Sequence, residues 1–272
     1  MTMLISWPTV FKFFLGILIV FFLPVGGMLA HHYYADDIGF SGYGRHSTTN
    51  QAPDQNTEEA VIQVYAARAA RWRGAVGVHT WIATKRSYEN QYTRLEVIGY
   101  RVYWGGDAVR IRSGTPDAMW FGHYPTLLRE IRGDSNLDAV IDQIHVAADQ
   151  YPYSAEYRVW PGPNSNTFTA YVGRAIPELR LELPSNAVGK DFLPTGKLLA
   201  AAPSGTGIQF SVNGYFGILL GLEEGIELNV LGLSAGLDFL RPAIKLPGIG
   251  RIGFSDRRRF IYRQPPRSPP ST

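Results

Sequence analysis

From Phe13 to Ala30 the chain runs without a charge through FFLGILIVFFLPVGGMLA, and only Lys12 separates that run from Val10 and Phe11. Crossing a hydrocarbon core of about 30 Å takes about 20 apolar residues. Lys12 can extend the run by lifting its amine to the interface. The pattern predicts an uncleaved membrane anchor over residues 1–31. A cleaved secretory signal is the alternative, but Met28, two residues before Ala30, is bulkier than an A-x-A-like cleavage site accepts. Lys12 precedes the run, whereas Asp36 and Asp37 come before the next cation, Arg45. By the positive-inside rule the amino terminus is cytoplasmic and the body lies outside.

Residues 32–56 hold Gly, Ser, Asn and Asp without a sustained period and read as a linker. Thr57, Glu58 and Glu59 look like a helix start, a capping hydroxyl followed by carboxylates at the positive dipole end. Val61, Val64, Tyr65, Arg68 and Trp72 continue at helical spacing up to Gly74. Val76, Val78, Thr80 and Ile82 alternate with Gly77, His79, Trp81 and Ala83, the period of a strand. Strands are also predicted over 94–104 and 109–112, with antiparallel connections. Residues 113–135 read as irregular, with a helical turn around Leu127 and Leu128. An apolar stripe of Leu137, Val140, Ile141, Ile144 and Ala148 predicts a helix over 135–151. Phe168, Tyr171, Val172 and Ala175 predict another over 166–176, stopped by Pro177.

Glycine then becomes frequent, with 13 of the 68 residues over 187–254 against an average near 7%. Apolar segments at 208–212, 216–222, 226–233 and 237–240 between Gly-containing turns predict hairpins. Glu223, Glu224 and Glu227 exclude a second spanning helix there. One face of this small sheet is expected on the domain and the other on lipid. The tail holds Arg257, Arg258, Arg259, Arg263 and Arg267 among prolines and is expected to be disordered. The organisation is therefore an anchor (1–31), a linker (32–56), an α+β core (57–186), a Gly-rich β extension (187–255) and a basic tail (256–272).

With 26 Lys+Arg against 23 Asp+Glu, the net charge is +3. No basic stripe with interleaved aromatics appears, so no nucleic-acid partner is expected. The absence of cysteine excludes disulfides, thiolate nucleophiles and Cys-ligated metal centres. No metal-ligand spacing such as HExxH occurs, and no cofactor is expected.

Of the six histidines, His31 and His32 adjoin the anchor and His46 lies in the linker. His145 falls on the polar face of the 135–151 helix, and His123 sits in an aromatic loop where a backbone bond is expected. His79 differs, because it projects from a strand with Trp81 on the same face. Far downstream, WPGPNSNTF (160–168) delivers Ser165 to a helix start on a proline-stiffened loop. Ser165 has two readings. It is an N-cap hydroxyl, a role Asn164 could also fill, or a nucleophile beside free N–H groups and a positive dipole end.

VHTWIATK (78–85) and WPGPNSNTF, with LRPAIKLPGIGRIGF (240–254), resemble an uncharacterised bacterial family, domain of unknown function 3750. More remotely, a strand-borne histidine followed by a helix start resembles the permuted papain-like amidases and peptidases of NlpC type. That resemblance implies an antiparallel sheet packed with helices. It puts His79 in the general-base position and Ser165 in the nucleophile position. A third, orienting residue would come from the next strand, with Glu96 and Tyr100 as candidates. Trp81, Asn164 and Asn166 would line the site, an Asn amide serving a developing oxyanion. The nucleophile of those relatives is a cysteine. A serine cannot form the resting thiolate–imidazolium pair and needs His79 to take its proton during attack. The leading expectation is thus a papain-like scaffold that has lost catalysis. The alternative is an amide or ester hydrolase of the cell envelope using a Ser–His pair. Both imply a single-pass protein of the bacterial inner membrane, its body periplasmic, with the bilayer as one partner and the envelope substrate or protein partner unidentified.

Overall fold

The computed structural model describes residues 7–34, 48–194, 196–254 and 258–261. Helices α1 (Trp7–Ile17) and α2 (Leu23–Tyr34) join through a π-helical turn at Leu18–Phe22 into one helix of 28 residues. It is long and apolar enough to cross a membrane. Its middle packs against the body, and Phe21 is buried there.

The expected helix after Thr57 is instead β1 (Ala60–Arg68), the central strand of a six-stranded sheet. It pairs with β2 (Val78–Lys85) on one side and β5 (Thr126–Gly133) on the other. Because helices cover one face and a loop the other, AVIQVYAA is buried throughout, which erases the period-two alternation. Thr57 is no cap: its carbonyl, with that of Glu59, accepts from the Lys85 ammonium at 2.6 and 2.8 Å. β5 was expected to be irregular or helical. The strand predicted over 94–104 is shorter, β3 (Thr93–Val97), and turns into α4 (Gly99–Tyr103). Gly99 permits the turn, since a Cβ there would strike the Tyr157 ring. β4 (Val109–Ser113) completes that edge, and β13 (Arg258–Ile261) lies parallel to β5 at the other. Residues 258–261 of the tail thus form a strand, and its other residues lie outside the described ones.

Helices α5 (Asp138–Asp149) and α6 (Ser165–Ala175) form as expected and share one core with Ile62, Val64, Ile82 and Leu95. The opposite face carries Tyr65, Trp81, Ala83 and Leu127, covered by Trp120. His145 is half-buried rather than solvated, 3.2 Å from Thr84 Oγ1. The chain is tied to the body from Thr48 onward, before the linker's expected end. Thr49 Oγ1 and the Gln51 N–H donate to the Asp117 carboxylate.

The Gly-rich region forms a seven-stranded antiparallel meander: β6 (Leu199–Ala201), β7 (Gly207–Val212), β8 (Phe216–Gly221), β9 (Gly225–Val230), β10 (Leu233–Asp238), β11 (Ala243–Leu246) and β12 (Gly250–Gly253). The β7–β8 and β8–β9 hairpins fall where expected, whereas the gap expected after 233 lies inside β10, and β6, β11 and β12 are additional strands. The protein is a mixed α+β structure of two antiparallel-rich sheets with an N-terminal apolar helix.

Candidate functional site

The cap of α6 is Asn164, not Ser165. Asn164 Oδ1 accepts from the N–H groups of Asn166 (2.9 Å) and Thr167 (3.2 Å), and Thr167 Oγ1 accepts from the Asn164 N–H (3.1 Å). This reciprocal capping box satisfies donors that a helix start otherwise leaves open. Asn164 Nδ2 donates to the carbonyls of Val159 and Val188 at 3.1 and 3.0 Å. Gly189, at φ +99°, lets its backbone press against that side chain, where any Cβ would collide with it. Asn166 Nδ2 is likewise engaged by the carbonyls of Val78 (2.9 Å) and Val188 (2.8 Å). Neither amide is therefore free to serve an oxyanion, which corrects the role expected for Asn164 and Asn166. The group left open is Ser165, the first residue of α6. Among the described residues neither its hydroxyl nor its N–H donates a hydrogen bond.

On the neighbouring sheet, His79 Nε2 stands 3.0 Å from Glu96 Oε2, with both side chains buried. The register that sets Ile82 opposite Leu95 puts His79, Trp81, Arg94 and Glu96 on one face. Arg94 Nη2 donates to Glu96 Oε2 at 2.9 Å, and Arg110, directly opposite Glu96 on β4, donates to the other oxygen. The imidazole stacks on Trp120 with ring centroids 3.8 Å apart. Arg94 lies over the Trp81 ring at 4.1 Å.

These contacts set the charge states. Burial alone would raise the Glu96 pKa, but the His79 bond and the charges of Arg94 and Arg110 hold it well below the usual carboxylate range. For His79, burial lowers the pKa and outweighs the pull of Glu96 in the other direction. The imidazole is therefore neutral at neutral pH. An ionised carboxylate only accepts, so Nε2 carries the proton and Nδ1 keeps its lone pair. Nδ1 has no hydrogen-bond partner among the described residues.

His79 and Ser165 open onto one cavity of about 400 Å³, walled by Trp72, by Arg73 of α3 (Arg73–Val76), and by Tyr157, Trp160 and Leu233. No hydrogen bond joins the two. Asn164 and Asn166 also reach this cavity. Tyr100 is an exposed residue at its rim, without a bond to His79, while Glu96 is the residue bonded to the imidazole. Trp81 is buried behind His79, its indole N–H donating to the Pro116 carbonyl at 2.7 Å. Among the described residues no group of three His, Asp or Glu side chains could hold a metal ion. Sequence reasoning missed Arg94, Arg110 and Trp120. The available signal was the alternation of Arg94 with Glu96 inside a strand that otherwise reads as core.

No curated protein and no solved structure matches the chain. The segment 240–254, which carried part of the expected family resemblance, lies outside the stretch that a family model matches. That stretch, residues 59–192, runs from the start of β1 past the end of α6, holds both His79 and Ser165, and matches the model of the family described as "Protein of unknown function (DUF3750)".

Proposed function

We propose that the protein is a membrane-anchored hydrolase of amide or ester bonds in the bacterial envelope, with Ser165 as nucleophile, His79 as general base and Glu96 as the residue that orients the imidazole. The observation that carries this reading is the shared cavity. A neutral imidazole with Nδ1 unengaged and a helix-start serine with hydroxyl and N–H unengaged open onto the same space. The order of strand-borne histidine and helix start supports a permuted papain-like relationship.

Ser165 Oγ attacks the acyl carbon while its proton passes to His79 Nδ1. The imidazolium formed is stabilised by Glu96. The resulting oxyanion faces the Ser165 N–H and the positive end of α6. Collapse breaks the C–N or C–O bond, and His79 returns the proton to the leaving amine or alcohol. Water, deprotonated by His79, then cleaves the acyl-serine ester and restores the hydroxyl. The helix Trp7–Tyr34 would hold this site at the membrane, with the body periplasmic on the evidence of the flanking charges.

A catalytically silent scaffold is favoured by one observation, the missing Ser165–His79 hydrogen bond. A fluorophosphonate probe separates the readings. Labelling of the wild-type chain that is lost in Ser165→Ala and His79→Ala supports the hydrolase. A wild-type chain that does not label, or labelling that survives Ser165→Ala, rejects it.

A further inference from the structure

The sheet β7–β12 has its polarity reversed. An antiparallel sheet with one face in water turns its apolar residues to the core and its polar residues outward. Here most inward positions are polar and buried, Gln209 and Ser211 on β7, Glu227 and Asn229 on β9, Asp238 on β10 and Lys245 on β11, with Leu219 on β8 as a buried apolar residue among them. The polar ones are held by ion pairs and hydrogen bonds. Lys245 Nζ donates to Glu227 at 2.8 Å, Glu227 also pairs with Lys190, and Arg251 donates to Asp238 at 2.7 Å.

The outward positions are apolar and largely exposed, apart from Ala235 on β10, which is buried. Phe210 lies opposite Ile218, Ile218 opposite Leu228, Ile226 opposite Leu237, and Leu237 opposite Ile244. No charged residue occupies an outward position of β7 to β12. At about 4.8 Å per strand the apolar face is roughly 24 Å across.

We infer that this face is buried in the acyl chains of the lipid bilayer. The occupant is indicated by what adjoins the face. β10 packs against the Leu18–Phe22 turn of the apolar N-terminal helix, and a Cβ on Gly248, in the β11–β12 turn, would sit 3.5 Å from Met28 Cγ. Helix and sheet thus meet at β10 and at the β11–β12 turn, which places the apolar face beside the apolar helix. A protein partner selects a patch with a polar rim and some charge for register, whereas the acyl layer selects against charge across the whole width. The sheet is a second, monotopic attachment beside the helix. The inference does not depend on Ser165 being a nucleophile.

The chain has no cysteine, so single-site labelling is clean. The full chain, carrying Ile218→Cys, Leu228→Cys or Gln143→Cys and an environment-sensitive fluorophore, is reconstituted in vesicles of phosphatidylethanolamine and phosphatidylglycerol. Doxyl-labelled phosphatidylcholine is expected to quench the probe at 218 and 228 but not at 143, which lies exposed on α5. Aqueous iodide should show the opposite pattern. Iodide quenching at 218 and 228 overturns the inference. So does shielding from both quenchers, which would mean a second copy or another protein covers the face. A photoactivatable phospholipid applied to the unsubstituted chain checks the result without mutation, and adducts absent from peptides spanning 207–253 would also overturn it.

Discussion

His79 Nε2 meets Glu96 Oε2 at 3.0 Å across two neighbouring strands, with Glu96 fully buried and His79 reaching the cavity only at its edge. Glu96 in turn balances Arg94 and Arg110. The carboxylate thus serves two ends, fixing the imidazole tautomer and neutralising buried cations. Glu96→Gln keeps the shape and removes the charge. Breaking a buried ion-pair group at one partner costs about 3–5 kcal/mol, so urea unfolding should show a loss of that order. Fluorophosphonate labelling of Ser165 should slow by at least about 100-fold, because the imidazole loses its orienting acceptor. Unchanged labelling with lowered stability would make Glu96 a structural residue only.

The pH dependence follows from the depressed pKa of His79. The unfolded chain takes up a proton near pH 6.5 while the folded one still excludes it. Below that pH the unfolded state binds more protons, so stability falls as pH falls. Conversely, His79 contributes its full stabilisation above pH 6.5. The labelling rate of Ser165 should hold through pH 6.5 and decline only at lower values. An acid limb centred at or above 6.5 would contradict the neutral, buried imidazole.

Asn164 and Ser165 are adjacent but should respond oppositely. Asn164 caps α6 and donates to two carbonyls, so Asn164→Ala should cost at least the ~0.5–2 kcal/mol of a lost cap. Among the described residues Ser165 makes no side-chain hydrogen bond, and Ser165→Ala should stay within about 0.5 kcal/mol of wild type. Thermal unfolding of the two variants checks this, and a large loss for Ser165→Ala would restore its role as a cap.

How far these features could be read from the sequence varied with how local their causes are. α5 was legible because one apolar stripe against a solvated face is a property of the segment itself, and α6, although buried on nearly every side, was legible from the spacing of Phe168, Tyr171, Val172 and Ala175 and the stop at Pro177. β1 was not, because its two-sided burial comes from β2, β5 and the layers above and below them. Its TEEAVIQV start imitates a helix cap closely. The proline-rich loop leading to Ser165 was visible as punctuation. The choice of Asn164 over Ser165 as cap depended on Gly189, Val159 and Val188, which only the fold brings alongside. Glu96 could be named from hairpin logic, yet its two arginines required the β3–β4 register.

The reversed sheet makes the most unusual demand on stability. In an ordinary sheet the apolar face supplies adhesion to the body, and truncating it is costly. Here that face is turned away from the body, and adhesion falls to groups such as Glu227, which sits buried between Lys190 and Lys245. Glu227→Leu leaves two cations facing each other in a closed interior and should cost about 3–5 kcal/mol. Adding Lys190→Met removes one of them and leaves Lys245 with Glu182, so the double variant should recover part of that loss. Ile218→Ala on the outer face should change stability by no more than about 0.5 kcal/mol in detergent, where micelle contacts replace any lost packing. Equilibrium unfolding of the three variants in one detergent is the measurement. If Ile218→Ala were the costlier single change, the outer face would be a protein core awaiting its partner, and the ion pairs would be incidental to the fold.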